Sequence, residues 1–189
     1  LDYIDPRDIH VYSIDESFLD VTDYLRMYHK SPRQFAKFLI EQIAERTHIP
    51  AMVGIGTNLY LAKIALDIAA KKRSDHIGWL NEELYQETLW KHRPLTDFWQ
   101  IGKGIERRLA KYGIINMEGI AKAPETLLYK EFGINAELMI DHAWGRESCT
   151  IADIKAYDSK AKSISTSQIL FEDYSFEKAQ IVVKEMVLD

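Results

Sequence analysis

Apolar residues along the chain fall first into short runs, then into helical periods. Residues 10–14 and 17–22 (HVYSI, SFLDVT) are rich in Val, Tyr, Phe and Thr and predict a β-hairpin with Asp15-Glu16 at its tip. Ser31 and Pro32 supply an N-cap and a first-turn proline. Phe35, Phe38, Leu39 and Ile43 follow at helical spacing and predict an amphipathic helix over 32–47. Residues 51–56 (AMVGIG) form a run suited to a buried strand. Asn58 then caps a helix over 59–72, whose small inner face (Ala62, Ala65, Ala69) permits close packing on a sheet. The pattern breaks near 74–78, and short helices follow to about 148. They are expected at 82–90 with Asn81 as cap, and at 95–99, 104–112, 116–122, 124–131 and 135–144, with Gly113, Gly133 and Gly145 as stops. Residues 149–160 are polar and linker-like, 162–171 (KSISTSQILF) alternate as a strand, and Ser175 caps a helix running to Met186.

This order, strands and helices first and an all-helical block second, predicts an α+β class with two domains. Composition fits it: 189 residues, 47% hydrophobic and 28% charged, enough to bury a core and too apolar for intrinsic disorder. No run approaches the roughly 18 apolar residues of a membrane span, so no membrane partner is expected. Cys149 is the single cysteine, which excludes an internal disulfide and points to a reducing, cytoplasmic setting. The six histidines show no zinc-type spacing. The chain starts Leu-Asp-Tyr without a Met or a signal peptide and so reads as a piece of a longer protein.

The net charge of −5 argues mildly against nucleic acid until its distribution is considered. Residues 1–24 hold seven acids against Arg7 alone, so the rest of the chain is nearly neutral. Two stretches are basic: 63–73, with Lys63, Lys71, Lys72 and Arg73 against Asp67, and 99–113, with Lys103, Arg107, Arg108 and Lys111 against Glu106.

Three places could carry chemistry. Asp15 and Glu16, adjacent at a hairpin tip, can address one cation there. Two carboxylates without histidine suit a hard ion such as Mg²⁺ or Mn²⁺, although such pairs are most often merely solvated. Residues 99–113 (WQIGKGIERRLAKYG) resemble a helix-hairpin-helix. In such a motif Gly102 and Gly104 let backbone N–H groups approach a phosphate while Lys103, Arg107 and Arg108 add charge; an ordinary turn with solvated bases is the plain alternative. Lys71, Lys72 and Arg73 end a helix, where cations are favoured in any case, or clamp a nucleotide's phosphates. Lys63 is expected to snorkel over the sheet edge.

Taken together, YSIDESFLDVT (12–22), VGIGTNLYLAKIALDIAAKK (53–72) and LTDFWQIGKGIERRLAKYGI (95–114) resemble the palm and thumb signatures of the Y-family translesion DNA polymerases, the UmuC/DinB (ImpB/MucB/SamB) group. KSISTSQILFEDY (162–174) is similar to the first strand of that family's little finger. The resemblance implies a partial ferredoxin-like palm, an antiparallel sheet with two helices, over 1–77. A thumb over 78–148, a linker over 149–161 and the start of a little finger over 162–189 would follow. It implies template-directed, metal-dependent transfer from a dNTP to a primer 3′-hydroxyl, in DNA repair and damage tolerance. Asp15 and Glu16 would be catalytic metal ligands, with Ser13 beside them. Lys71 or Lys72 would contact the triphosphate, and the Gly102 hairpin would grip the primer backbone. Primer-template DNA and, for the full-length parent, a sliding clamp would be partners.

Departures from the family pattern refine these expectations. The family's triphosphate lysine is replaced by Ala70, its lysine after Asn58 by Leu59, and its first hairpin glycine by Gln100. Its first metal-binding Asp, its fingers and the aromatic residue that rejects ribonucleotides are missing from this segment, so the 189 residues alone are expected to be inactive. An exposed palm edge is expected to favour self-association. Two other functions compete: a helix-hairpin-helix DNA-binding module without catalysis, and a nucleotide cyclase, which has no reason to carry the thumb-like hairpin.

Overall fold

Strand β1 (Ile9–Val11) pairs antiparallel with β2 (Ser17–Leu19) in the computed structural model, which describes residues 3–158 and 165–188; His10 faces Phe18 across the pair. The connection closes on itself, because the amides of Tyr12 and Ser13 both donate to the Glu16 carbonyl, at 3.0 and 3.1 Å. The second strand stops sooner than the sequence pattern predicts. Asp20 accepts from both the amide and the hydroxyl of Thr22, a side-chain turn that starts helix α1 (Thr22–Met27) instead. Helix α2 (Pro32–Thr47) matches its expected bounds and opens on a full capping box between Ser31 and Gln34. Ile4, Phe35 and Leu39 form a small buried cluster beneath it, joined by Tyr24, Tyr28 and Phe38.

Strand β3 (Val53–Gly56) runs parallel to β4 (Ile77–Leu80), a strand hidden in sequence by the turn-rich residues before it. Between them helix α3 (Leu59–Ile64), capped by Asn58, continues through a π-helical turn (Ala65–Ala69) and a 3₁₀ turn (Ala70–Lys72). That crossover makes the pair parallel. The single antiparallel palm sheet expected from the resemblance is thus, among the described residues, two separate two-stranded sheets, one of each kind.

Helices α4 (Glu82–Leu89), α5 (Lys103–Ala110), α6 (Met117–Lys122), α7 (Glu125–Phe132) and α8 (Asn135–Trp144) follow. Gly113, Gly133 and Gly145 end helical segments with positive φ, as expected of helix stops. The main core runs through this block and into α3 and β4, with Tyr60, Leu61, Ile64, Tyr85, Leu95, Phe98 and Leu109 at its centre.

Within the stretch expected as a linker, residues 159–160 lie outside the described residues, and Ile151–Ala156 forms helix α9 with Ile151 buried. Thr150 and Asp153 cap each other at its start. The chain divides into two compact units, Leu1–Ala156 and Tyr157–Asp189. In the second, α10 (Phe176–Leu188) begins beside Ser175, whose hydroxyl accepts from the Lys178 amide. Residues 165–171 of the expected strand are irregular, with no neighbouring strand among the described residues to hydrogen-bond; 162–164 lie outside the described residues.

Candidate active site and nucleic-acid interface

The hairpin tip turns its two carboxylates to different partners. Asp15 is exposed and accepts from the Ser13 hydroxyl at 2.8 Å. Glu16 is half-buried, and both its oxygens lie 2.8 Å from the Lys63 ammonium on α3. Lys63 does not snorkel. Its side chain is only 10% exposed, it also reaches Asp67 one turn on at 3.2 Å, and it lies 5.7 Å from the Tyr12 ring centre. Burial alone would lower its pKa, but the hydrogen bonds to Glu16 and Asp67 outweigh burial and hold it above the usual lysine value.

Aromatic packing fixes the other side of the hairpin. The Trp99 indole N–H donates to the Tyr12 hydroxyl at 2.9 Å, and the two rings meet edge-on at 5.7 Å. Phe18 lies against both rings.

No group of three or more His, Cys, Asp or Glu side chains among the described residues could hold a metal ion. The donors present are nonetheless the right kind: two carboxylates and a hydroxyl are hard oxygen ligands. A cation, the Lys63 ammonium, already sits on Glu16. The tip thus offers oxygen donors of the kind a hard divalent ion takes, with the Glu16 carboxylate engaged by Lys63.

Lys71 and Lys72 are exposed at the end of the α3 segment and make no ion pair among the described residues, whereas Ala70 beside them is buried. Arg73 is drawn away, bonded to Asp75, which Arg33 also pairs with.

The basic hairpin departs from the expected motif. Its first helix is a single 3₁₀ turn, Leu95–Asp97, because only a few residues separate Pro94 from the hairpin, too few for a stable α-helix. Gln100 takes φ +69°, the left-handed conformation that a glycine adopts without strain. Gly102 caps α5, and a Cβ at Gly102 or Gly104 would meet nothing within 4 Å, so the backbone there is open to a ligand. Lys103 and Arg107 are exposed, the latter donating to the Lys103 carbonyl. Arg108 is committed elsewhere, to Glu131 at 3.4 Å and over the Phe132 ring at 4.4 Å. Tyr112 also donates to Glu131, and that bond leads in holding the Glu131 carboxyl below its usual range.

Residues 1–67, which carry the hairpin and Lys63, match the impB/mucB/samB family. The DNA repair protein homolog YobH of Bacillus subtilis is 40% identical over 65% of this chain and 56% of its own length. DNA polymerase IV 2 of the same organism is 31% identical over 93% of this chain and 42% of its own. The chain carries an impB/mucB/samB family domain and is homologous to Y-family DNA polymerases. Its fold agrees with solved Y-family members. The DinB structure from Sulfolobus solfataricus superimposes with a TM-score of 0.61 at 26% identity, over 84% of this chain and 42% of that one. A post-insertion binary complex of Dbh DNA polymerase reaches 0.66 at 27% identity, over 79% of this chain and 42% of that one. The chain spans about two-fifths to just over half the length of the curated relatives named here.

Within this Y-family framework the structure brings Ser13, Asp15, Glu16 and Lys63 together. It sets Lys71 and Lys72 at the end of α3 and the Gly102 turn at the start of α5. Sequence reasoning missed Lys63. Its signal was present, since an i,i+4 spacing to Asp67 on a small-residue helix face invites burial of the cation rather than display.

Proposed function

We propose that this chain is the palm-to-thumb portion of a template-directed DNA polymerase for translesion synthesis, transferring a nucleotide from dNTP to a primer 3′-hydroxyl. The observation that carries the reading is the Asp15-Glu16 pair at the hairpin tip, within the stretch that matches the family. Asp15 and Glu16 would hold Mg²⁺ or Mn²⁺, which when bound lowers the pKa of the attacking hydroxyl and neutralises charge on the leaving pyrophosphate. Ser13 orients Asp15 through its hydroxyl. Lys71 and Lys72 attract the triphosphate. The open backbone at Gly102 and Gly104 meets a primer phosphate, with Lys103 and Arg107 adding screened charge.

Two carboxylates are fewer than two-metal transfer needs, so the 189 residues by themselves are proposed to be inactive. The free edges of the two small sheets favour self-association of this segment, which light scattering across concentration reports.

Primer extension tests the reading. The whole protein that contains this chain should incorporate dNTPs with Mg²⁺, and Asp15→Ala with Glu16→Ala should abolish incorporation while leaving duplex binding intact. Incorporation that survives both substitutions refutes it. A DNA-binding module without catalysis would bind duplex equally in all these proteins and extend no primer in any.

A further inference from the structure

We infer that Lys63 is an internal counter-ion that occupies the cation seat of Glu16, and that it must yield this seat to Asp67 before a divalent ion can bind the hairpin. The inference rests on the metal-binding reading of Asp15 and Glu16.

Three observations carry it. The ammonium touches both Glu16 oxygens at equal distance, so neither oxygen is left without a positive neighbour. A second seat lies within reach: Asp67, one turn further along the same helix, already accepts from Lys63 at 3.2 Å. The ammonium is also held rather than loosely drawn in, with little of its side chain in solvent and the Tyr12 ring face close by. A divalent ion entering against Glu16 would stand within a few ångströms of this charge. In a partly buried setting such repulsion is weakly screened. Moving the ammonium wholly onto Asp67 removes the conflict without leaving a buried cation unpaired. Lys63 is therefore a positioning residue: before metal binds it holds Glu16 and the hairpin against α3, and it sets how tightly the hairpin takes the ion.

Mn²⁺ binding to the 189-residue chain, followed by the loss of the free-ion electron paramagnetic resonance signal, tests this without any catalytic readout. Lys63→Met keeps the apolar stem and removes the charge; it should tighten Mn²⁺ binding about tenfold. Lys63→Arg keeps the charge and should stay near the parent value. Asp67→Asn removes the second seat and should weaken binding several-fold. In a Glu16→Gln background the gain from Lys63→Met should vanish.

Equal or weaker binding by Lys63→Met overturns the inference, as does an equal gain in the Glu16→Gln background, which would mark a general field effect. Should Lys63→Met lose the native circular dichroism spectrum, Asp67→Asn decides alone, and binding unchanged from the parent overturns the inference. Failure of the underlying reading looks different: Mn²⁺ then binds none of the proteins, or binds regardless of Asp15→Asn and Glu16→Gln, and the counter-ion assignment falls with it.

Discussion

His142 is the buried titratable residue outside the hairpin whose setting makes a pH dependence legible. Its ring stacks on Tyr60 at 4.0 Å, and its Nε2 lies 2.9 Å from a Glu147 oxygen. Burial lowers its pKa below the usual 6.5, while the hydrogen bond to Glu147 pushes the other way without prevailing. The folded state thus binds this proton less readily than the unfolded chain. Its stabilising effect is complete above pH 6.5 and is lost as pH falls through 6.5 toward the lower, folded-state value. Urea unfolding at pH 7.5 and pH 5.5 should show a loss of stability at the lower pH that shrinks in His142→Gln. An unchanged difference would exclude His142 as its source.

The basic residues of the thumb-like turn separate in the same way, by what each already touches. Lys103→Ala and Arg107→Ala should each lower the slope of log affinity against log salt for duplex DNA by about one. Arg108→Ala should leave that slope near its parent value, because Glu131 and the Phe132 ring already engage Arg108. Filter binding across a salt series distinguishes these outcomes. In sequence the three cations look equivalent; only the packing of α5 on α7 tells them apart.

At the scale of elements, the close union of α3 with the β3–β4 pair depends on what the strands lack. A Cβ at Gly54 would come within 2.1 Å of the Ala62 carbonyl oxygen, one at Gly56 within 2.1 Å of the Ala62 nitrogen, and one at Gly78 within 2.2 Å of the Ala65 carbonyl oxygen. These are backbone atoms of a buried helix and cannot swing aside. Gly54→Ala should therefore destabilise by about 3 kcal/mol, the upper end of the usual overpacking cost, through forced separation of helix and sheet. Gly102→Ala, with open space and φ −86°, should change stability by less than about 1 kcal/mol. Thermal unfolding of the two variants compares them directly. Asn58→Ala should cost about 1–2 kcal/mol, since Asn58 caps Leu61 and also donates to the Gly145 carbonyl.

How far the elements could be read from sequence follows from where their signals lie. Helix α2 was legible to the residue because its start is written locally, in Ser31, Pro32 and Gln34. The small face of α3 was legible as well, and the strand glycines opposite it were visible but had no assigned partner. Strand β4 was not legible. Its four residues gain strand character only from β3, a neighbour twenty residues away that no local period reports. Helix α9 was hidden for the same reason, since a single buried Ile151 supplies its apolar anchor. At the site, the adjacency of Asp15 and Glu16 was plain in sequence. Their divergence, one toward Ser13 and the other toward Lys63, arises from the hairpin packing on α3 and on Trp99.

Across the unit Leu1–Ala156, the apolar core does not respect the boundary that the sequence pattern suggests near residue 77. Tyr60, Leu61 and Ile64 of α3 belong to the same buried cluster as Tyr85, Leu109 and Met139 of the helical block, whereas Ile4, Phe35 and Leu39 form a cluster of their own. A buried tyrosine pair ties the first cluster with polar bonds. Tyr85 donates to the His142 carbonyl at 3.1 Å, and its hydroxyl lies 3.2 Å from that of Tyr60; burial raises both phenols above their usual pKa. Both therefore stay neutral hydrogen-bonding groups through the physiological range. Tyr85→Phe would leave the Tyr60 hydroxyl and the His142 carbonyl buried without this partner, at a cost of about 1–3 kcal/mol. If α3 and the helical block open as one cooperative unit, native-state hydrogen exchange in Tyr85→Phe should show the most protected amides of α3 and α8 losing the same opening free energy. Amides of α2, which pack on the separate Phe35 cluster, should keep theirs. A loss confined to α8 would instead place the cooperative boundary between α3 and the helices. The carboxylate hairpin would then stand on a body that can open independently of the Gly102 turn.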